Sequence, residues 1–334
     1  MRSFDPKEHP VPFVHRLLLS GVAPRPIALV SSLDAEGRYN LSPFSFFNAF
    51  GANPPVIVVS PAYRGKDGTP KHSFENIRDT GEFTVSAVSH AMVEQISLAS
   101  SDYERGVDEF VKSGFTKLPS RIVAPPGVAE SPFVIECRLL HHYDTGGLPG
   151  SGNLMIAEVV MFHVRESAFT GDRIDPRRLD LVARMGYNWY CRANGEALFE
   201  LPKPGHSGIG FEALPQHIRE SAVLTGNNLA KLAGTETLPD SHEILERWSE
   251  DMRGIDPAEV EADMFEVELR MGQAHRALLA LMADWKRGAL DNPGISRRLQ
   301  HCTQVALEHN ELTFAWECAL MSHADAVAAL SAGT

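Results

Sequence analysis

Between residues 27 and 164 the chain alternates short apolar runs with clusters of Gly, Pro, Asn and Asp. The runs are Ile27–Ser32, Tyr39–Phe46, Val56–Ser60, Glu82–Val88, Phe133–Leu140 and Leu154–Val164. Runs of this length, rich in β-branched and aromatic residues and closed by turn formers, read as strands. Asp34-Ala-Glu-Gly37 folds the second run back on the first, and Asn53-Pro-Pro marks the next turn. Thr145–Gly152, rich in glycine, joins two strands; with no helix after it, it lacks the context of a dinucleotide fingerprint. The last third changes period. Many strands followed by helices predict an all-β barrel and then a helical segment.

The first 26 residues are Pro-rich and expected to be irregular, apart from a short apolar piece at Val14–Leu19. His90–Ser100 has helical spacing in Met92, Ile96 and Ala99. Asp240-Ser-His-Glu243 reads as a capping box opening a helix to about Met252. Asp256-Pro-Ala-Glu259 supplies an N-cap and a Pro at the first helical position. From there Val260, Met264, Val267, Met271, Ala274, Leu278, Leu281 and Trp285 form a heptad seam, and a second seam runs from Ile295 to Leu330. The short Gly288–Gly294 link predicts that the two pair antiparallel. Leu201-Pro-Lys-Pro-Gly-His-Ser-Gly is the expected linker, giving domains 1–204 and 205–334.

Composition narrows the function. The chain has 334 residues, 43% of them hydrophobic and 22% charged, with a net charge of -12. Such an acidic chain lacks the basic stripe of a nucleic-acid binder, and no run approaches a membrane span. Four scattered cysteines, Cys137, Cys191, Cys302 and Cys318, offer no disulfide framework, and the N-terminus lacks a signal-peptide core. The expected setting is the cytoplasm.

Two stretches bear on chemistry. Asn40-Leu-Ser-Pro-Phe-Ser-Phe-Phe-Asn48 sets three Phe beside Ser and Asn hydroxyls and amides. It can edge a flat, polar-rimmed ring, or simply be a buried strand and turn. Arg64, Lys66, Lys71 and His72 crowd a loop before Ser73, which is expected to cap a helix over Phe74–Asp79 ended by Gly81. Basic side chains at a helix start suit a phosphate; a solvated loop with an ordinary cap is the plainer reading. Metal binding is disfavoured: His141 and His142 point to opposite faces of a strand, and His309 and His323 lie two heptads apart on the expected last helix. No G-x-S-x-G motif points to a serine hydrolase.

Taken in order, Pro24-Arg-Pro-Ile-Ala-Leu-Val-Ser-Ser, Asp34, Gly37, Asn40–Asn48 and Asn53-Pro-Pro-Val resemble the flavin reductase-like, FMN-binding split-barrel family. Its members include flavoredoxin-type proteins and the reductase components of two-component monooxygenases. Lys71-His-Ser73, Asn76-Ile, Thr80-Gly-Glu-Phe, Glu130-Ser-Pro, Ile135-Glu-Cys-Arg-Leu, Ala157-Glu-Val-Val, Arg184-Met-Gly and Tyr190 continue the likeness over roughly residues 15–200. The resemblance implies a Greek-key-like split β-barrel, a homodimer, and FMN near the subunit interface. It implies that Ser42, Pro43, Phe44, Ser45, Phe46 and Phe47 line the ring and ribityl chain, and that Ser60, Arg64, Lys71 and Ser73 hold the phosphate. One departure matters: where many members carry Gly-Asp-His, this chain reads Ser151-Gly-Asn153, so the histidine linked with nicotinamide use is missing.

The implied function is NAD(P)H:flavin reduction, with NAD(P)H as co-substrate, no catalytic side chain required and a partner monooxygenase to supply. The alternative is an FMN-holding electron carrier without a nicotinamide site. Residues 205–230, with Gly208-Ile-Gly, are either a lid over the flavin or a connector to the helices.

Overall fold

The structure, a computed structural model, describes all residues except 202, 204, 206, 333 and 334. It divides into two compact units, Met1–Glu200 and Leu201–Thr334. The expected linker at 201–208 lies partly outside the described residues.

In the first unit the strands are β1 (Arg25–Pro26), β2 (Ala28–Leu33), β3 (Tyr39–Phe44), β4 (Phe47–Ala52), β5 (Pro55–Val59), β6 (Glu82–Ala87), β7 (Lys117–Leu118) and β8 (Gly127–Val128). They continue as β9 (Phe133–Asp144), β10 (Asn153–Val164), β11 (Phe169–Thr170), β12 (Arg173–Ile174), β13 (Val182–Arg184) and β14 (Tyr190–Arg192). Seven of them form one antiparallel sheet in the order β3-β2-β6-β9-β10-β5-β4, and β1-β13-β14 form a smaller one. This is the expected split barrel. Its strands alternate inward and outward, so the sheet carries apolar clusters on both faces. One contains Ala28, Val30, Phe83, Val85 and Ile135; the other contains Leu29, Leu41, Met92, Ile96 and Phe110. The Gly-rich loop joins β9 to β10 as a hairpin connection, as expected.

Two local expectations change. Tyr39–Phe46 is not one strand: the chain breaks at Ser45-Phe46 and re-enters the sheet as β4, which pairs with β5 and forms the sheet's other edge. Pro43 has no N–H to give a central ladder, and β3 is accordingly an edge strand. The Pro-rich N-terminus is not irregular either. Val11–Gly21 is a helix, α1, with Pro12 in its first turn, where a missing N–H costs nothing.

The remaining helices of this unit are α2 (His72–Thr80), α3 (Val93–Ala99), α4 (Glu109–Ser113) and α5 (Pro176–Leu179). Gly81 ends α2 at φ 74°.

The second unit is helical: α6 (Gln216–Arg219), α7 (Gly226–Ala233), α8 (Ser241–Gly254), α9 (Phe265–Arg270), α10 (Ala274–Lys286), α11 (Asn292–Glu308), α12 (Leu312–Met321) and α13 (Ala324–Ala332). Asp240 caps α8 by accepting from the His242 and Glu243 amides. The reciprocal capping box sits instead on α7, between Thr225 and Asn228.

The two long seams are broken. Asp256 caps only a 3₁₀ turn, and Asp263 (φ 61°) and Gly272 (φ 74°) interrupt the first seam beyond it; Asn310 (φ 61°) splits the second seam. Val267 and Met271, expected at the seam, are exposed. A simple antiparallel pair is therefore replaced by a bundle of short helices around Trp248, Phe265, Leu281, Leu299 and Trp316. His309 and His323 consequently belong to different turns, not to one helix. Leu214, Ile218 and Leu224 are buried in this bundle's core, so much of 205–230 is committed to helical packing.

Candidate functional site

Along β3 the side chains of Asn40, Ser42 and Phe44 share one face. Asn40 is buried, and its Nδ2 donates to Ser73 Oγ at 2.8 Å. One turn further on, Asn76 Nδ2 donates to Ser32 Oγ at 3.1 Å. Two Asn–Ser bonds thus pin the start of α2 to β2 and β3. The expected cap is corrected: α2 begins at His72 with Lys71 as N-cap and no side-chain cap bond, while Ser73 lies inside the helix, buried against Asn40. Without that cap, the first-turn amides of α2 remain donors in search of an acceptor.

The loop leading to this helix is braced from both sides. Ser60 N donates to Phe46 O at 2.9 Å, and Ser60 Oγ accepts from Asn153 N at 3.1 Å. Asn153 Nδ2 donates to Pro61 O, and the His142 ring approaches Asn153 Oδ1 at 3.3 Å. Tyr63 N donates to Ser151 O, and its hydroxyl to Asp144 Oδ2 at 2.9 Å. The Gly-rich hairpin is therefore the outer wall of the basic loop as well as a connection.

Arg64 closes the loop on itself. Its amide donates to Thr69 O, and its guanidinium reaches Pro70 O, Thr69 Oγ1 and Asp102. Most of its donors are committed to loop shape.

Lys71 is different. It is half-buried, and its ammonium has no hydrogen-bond or ion-pair partner among the described residues. Burial, then the charge of Arg64, hold it below the usual lysine range. Burial, then Arg105 and Arg64, likewise lower His72. Arg105 is paired with Glu75 and reaches Asn76 Oδ1 at 3.4 Å. Lys71, with the ion-paired Arg64 and Arg105 near it, thus places positive charge at a helix start in a chain of net charge -12, while His72 is held neutral. An uncommitted, partly desolvated ammonium beside free amides is the donor set that a phosphate dianion requires.

At the other end of β3, about 16 Å away for five residues of strand, Pro43, Phe44 and Ser45 line a cavity of about 260 Å³ with Ile27, Arg184 and Tyr190. Arg184 donates to the Tyr190 hydroxyl at 2.6 Å and to Tyr187 O at 2.8 Å. Beneath it, Arg25 is buried and joins Ser45 Oγ (3.3 Å), Val22 O (2.7 Å) and Met185 O (3.1 Å). Burial, then Arg184, lower the Arg25 guanidinium from its usual value. Phe47 lines a separate, apolar cavity of about 400 Å³ with Pro24, Pro26 and Phe133. Phe46 is exposed, edge-on to His15 of α1.

The ten residues singled out from the sequence are therefore not brought to one place. Ser60, Arg64, Lys71 and Ser73 surround one loop; Pro43–Ser45 face one cavity; Ser42 lies on β3 between Asn40 and Phe44; Phe46 is exposed beside His15, and Phe47 lines a separate cavity. Sequence reasoning missed Arg25 and Arg105 as site-building groups; Asn40 was read as part of the Asn40–Asn48 stretch, without its bond to Ser73. Arg25 carried a signal, as a charged residue held between two prolines in Pro24-Arg-Pro26. Arg105 lies in a segment without pattern and had none.

Comparison with known proteins fits this geometry. The flavin reductase like domain matches residues 20–179. Nitrilotriacetate monooxygenase component B from Bacillus cereus is 33% identical, with a TM-score of 0.56 over 60% of this chain and 98% of that one. A split-barrel-domain protein from Shewanella frigidimarina is 26% identical, with a TM-score of 0.52 over 61% of this chain and 100% of that one. An uncharacterized protein of Halalkalibacterium halodurans is 36% identical over 57% of this chain and 90% of its own length.

Proposed function

Because the chain belongs to the flavin reductase-like family, we propose that its first unit is an FMN-dependent oxidoreductase that reduces FMN with NADH or NADPH. The observation that carries the FMN reading is Lys71: half-buried, unpartnered among the described residues, and set beside the open amides of α2. Lys71 and those amides would hold the phosphate, with Ser60 at the loop entrance and Arg64 keeping the loop closed. Ser42 on β3, followed by Pro43, Phe44 and Ser45 at the Arg184 cavity, would follow the ribityl chain toward the ring. Phe46, exposed beside His15, is assigned to the rim, while Phe47 lines a separate apolar cavity. Bound FMN supplies the redox chemistry; the protein's part is binding, orientation and exclusion of competing reactions.

A homodimer is part of the proposal. Edge strand β4 leaves Phe50 68% exposed, and Phe46 is exposed beside it. An open edge with aromatic side chains favours pairing with a second copy. A partner oxygenase is supported by the likeness to a monooxygenase component.

A second reading, an FMN-holding electron carrier, is favoured by Asn153. Asn153 stands where many members of the family carry the histidine; its side-chain amide is committed to Pro61 and its carbonyl oxygen approaches the His142 ring, so position 153 itself supplies no imidazole. Steady-state oxidation of NADH and of NADPH with added FMN separates the two. Turnover with either nucleotide supports the reductase; no turnover with both, in protein that binds FMN, supports the carrier.

A further inference from the structure

The helical unit holds a cavity of about 700 Å³ between α8, α10 and α12, independent of the flavin reading. That volume falls in the range of pockets that take small organic ligands. One stripe from each helix builds it. His275, Leu278, Leu279 and Met282 follow i, i+3, i+4, i+7 on α10, so they share a face. Trp248 and Asp251 come from α8, and Phe314 and Glu317 from α12.

The floor is apolar and well ordered by packing. Trp248 is 2% exposed, and Leu278 and Met282 are buried. One wall is a stacked pair, His275 on Phe314, with centroids 3.7 Å apart and planes inclined by 13°. Leu279 is 46% exposed at the lip, an apolar side chain left without cover. Beside His275 and Thr313, the charged groups of the lining are acidic. Asp251 has no ion-pair partner among the described residues, and Glu317 accepts from Arg247 (2.5 Å) and from Trp248 Nε1 (3.4 Å). No lysine or arginine lines the cavity. Glu311 lies just outside, 3.4 Å from His275 Nδ1.

We propose that this cavity binds a hydrophobic organic cation, its apolar body on Trp248, Leu278 and Met282 and its charge toward Asp251 and Glu317. An anion of the same shape would meet the Asp251 carboxylate, which has no ion-pair partner among the described residues, while Glu317 is paired with Arg247. A neutral ligand would leave Asp251 unused. The aromatic wall adds attraction for a cation.

Tetraphenylphosphonium and tetraphenylborate, nearly equal in size and opposite in charge, test this by calorimetry on the full chain. The phosphonium is expected to bind with a one-site isotherm, and the borate at least about 10-fold more weakly. Asp251→Asn, at an exposed position, should weaken the phosphonium several-fold. Leu279→Lys, which places a cation at the lip, should weaken it about 10-fold or more. Glu317→Gln should also weaken it, but that side chain contacts Arg247 and Trp248. The two exposed substitutions therefore decide the matter, checked by unchanged circular dichroism. No phosphonium binding, equal affinity for both ions, or unchanged affinity in Asp251→Asn and Leu279→Lys together would overturn the assignment.

Discussion

The residue that matters most to the flavin reading is Lys71. Its loss should weaken FMN by about 1.5–3 kcal/mol, the worth of a charge-assisted hydrogen bond. Calorimetry on Lys71→Ala measures this, and unchanged affinity removes Lys71 from the site. Glu136 makes a contrasting case, a buried charge with a structural task. It accepts from the amides of Arg121, Ile122 and Val123 at 2.7, 2.7 and 2.9 Å, and from His163 at 2.6 Å. Burial alone would raise its pKa, but the Arg121 amide, His163 and the other two amides together bring it below the ordinary 4.5. A depressed carboxylate contributes stability that is fully present above about 4.5 and drains as pH falls through the folded value. Glu136→Gln should therefore cost about 1.5–3 kcal/mol at neutral pH. The variant should also lack that part of the acid destabilisation, as read by urea unfolding from neutral pH to below 4.5. Lys71 was legible in the sequence as a basic residue in an acidic chain. Glu136 was not, because its partners come from a loop and a neighbouring strand that no local pattern joins.

At the scale of elements, strands were easier to read than helix ends. The hairpin of β2 and β3 and the long pair β9 and β10 arise from apolar runs and turn residues. The helix α1 was hidden by prolines whose place in a first turn makes them harmless. In the helical unit, a 3.5-residue period persisted across three separate short helices, so periodicity alone suggested one. Gly272 is the informative residue: at φ 74° it permits the turn between α9 and α10. A side chain there would be strained, and an added Cβ would lie 2.7 Å from the His309 ring. Gly272→Ala should destabilise the helical unit by about 1–3 kcal/mol. Thermal unfolding of the full chain reads it, and FMN affinity should not change. An Ala variant as stable as the parent would show that the break between α9 and α10 is not required.

For the whole molecule, the change of period near residue 200 marked the division into β and helical parts, while the packing inside the helical part needed long-range contacts to be seen. Leu214, Ile218 and Leu224 lie in the helical core, so this segment is part of the helical unit, and we propose that it acts as a connector. A chain ending at Glu200 should accordingly keep FMN and show the same rate with small and bulky electron acceptors as the full chain. A higher rate with bulky acceptors alone would restore the lid. The central claim, that this chain binds FMN and reduces it with a nicotinamide, is tested most directly by anaerobic titration of FMN-loaded protein with NADH and then NADPH, followed by visible absorption. About one FMN per chain is expected, with bleaching of the flavin band by at least one of the two nucleotides. Protein that takes up no FMN, or bound FMN that neither nucleotide bleaches, would contradict it.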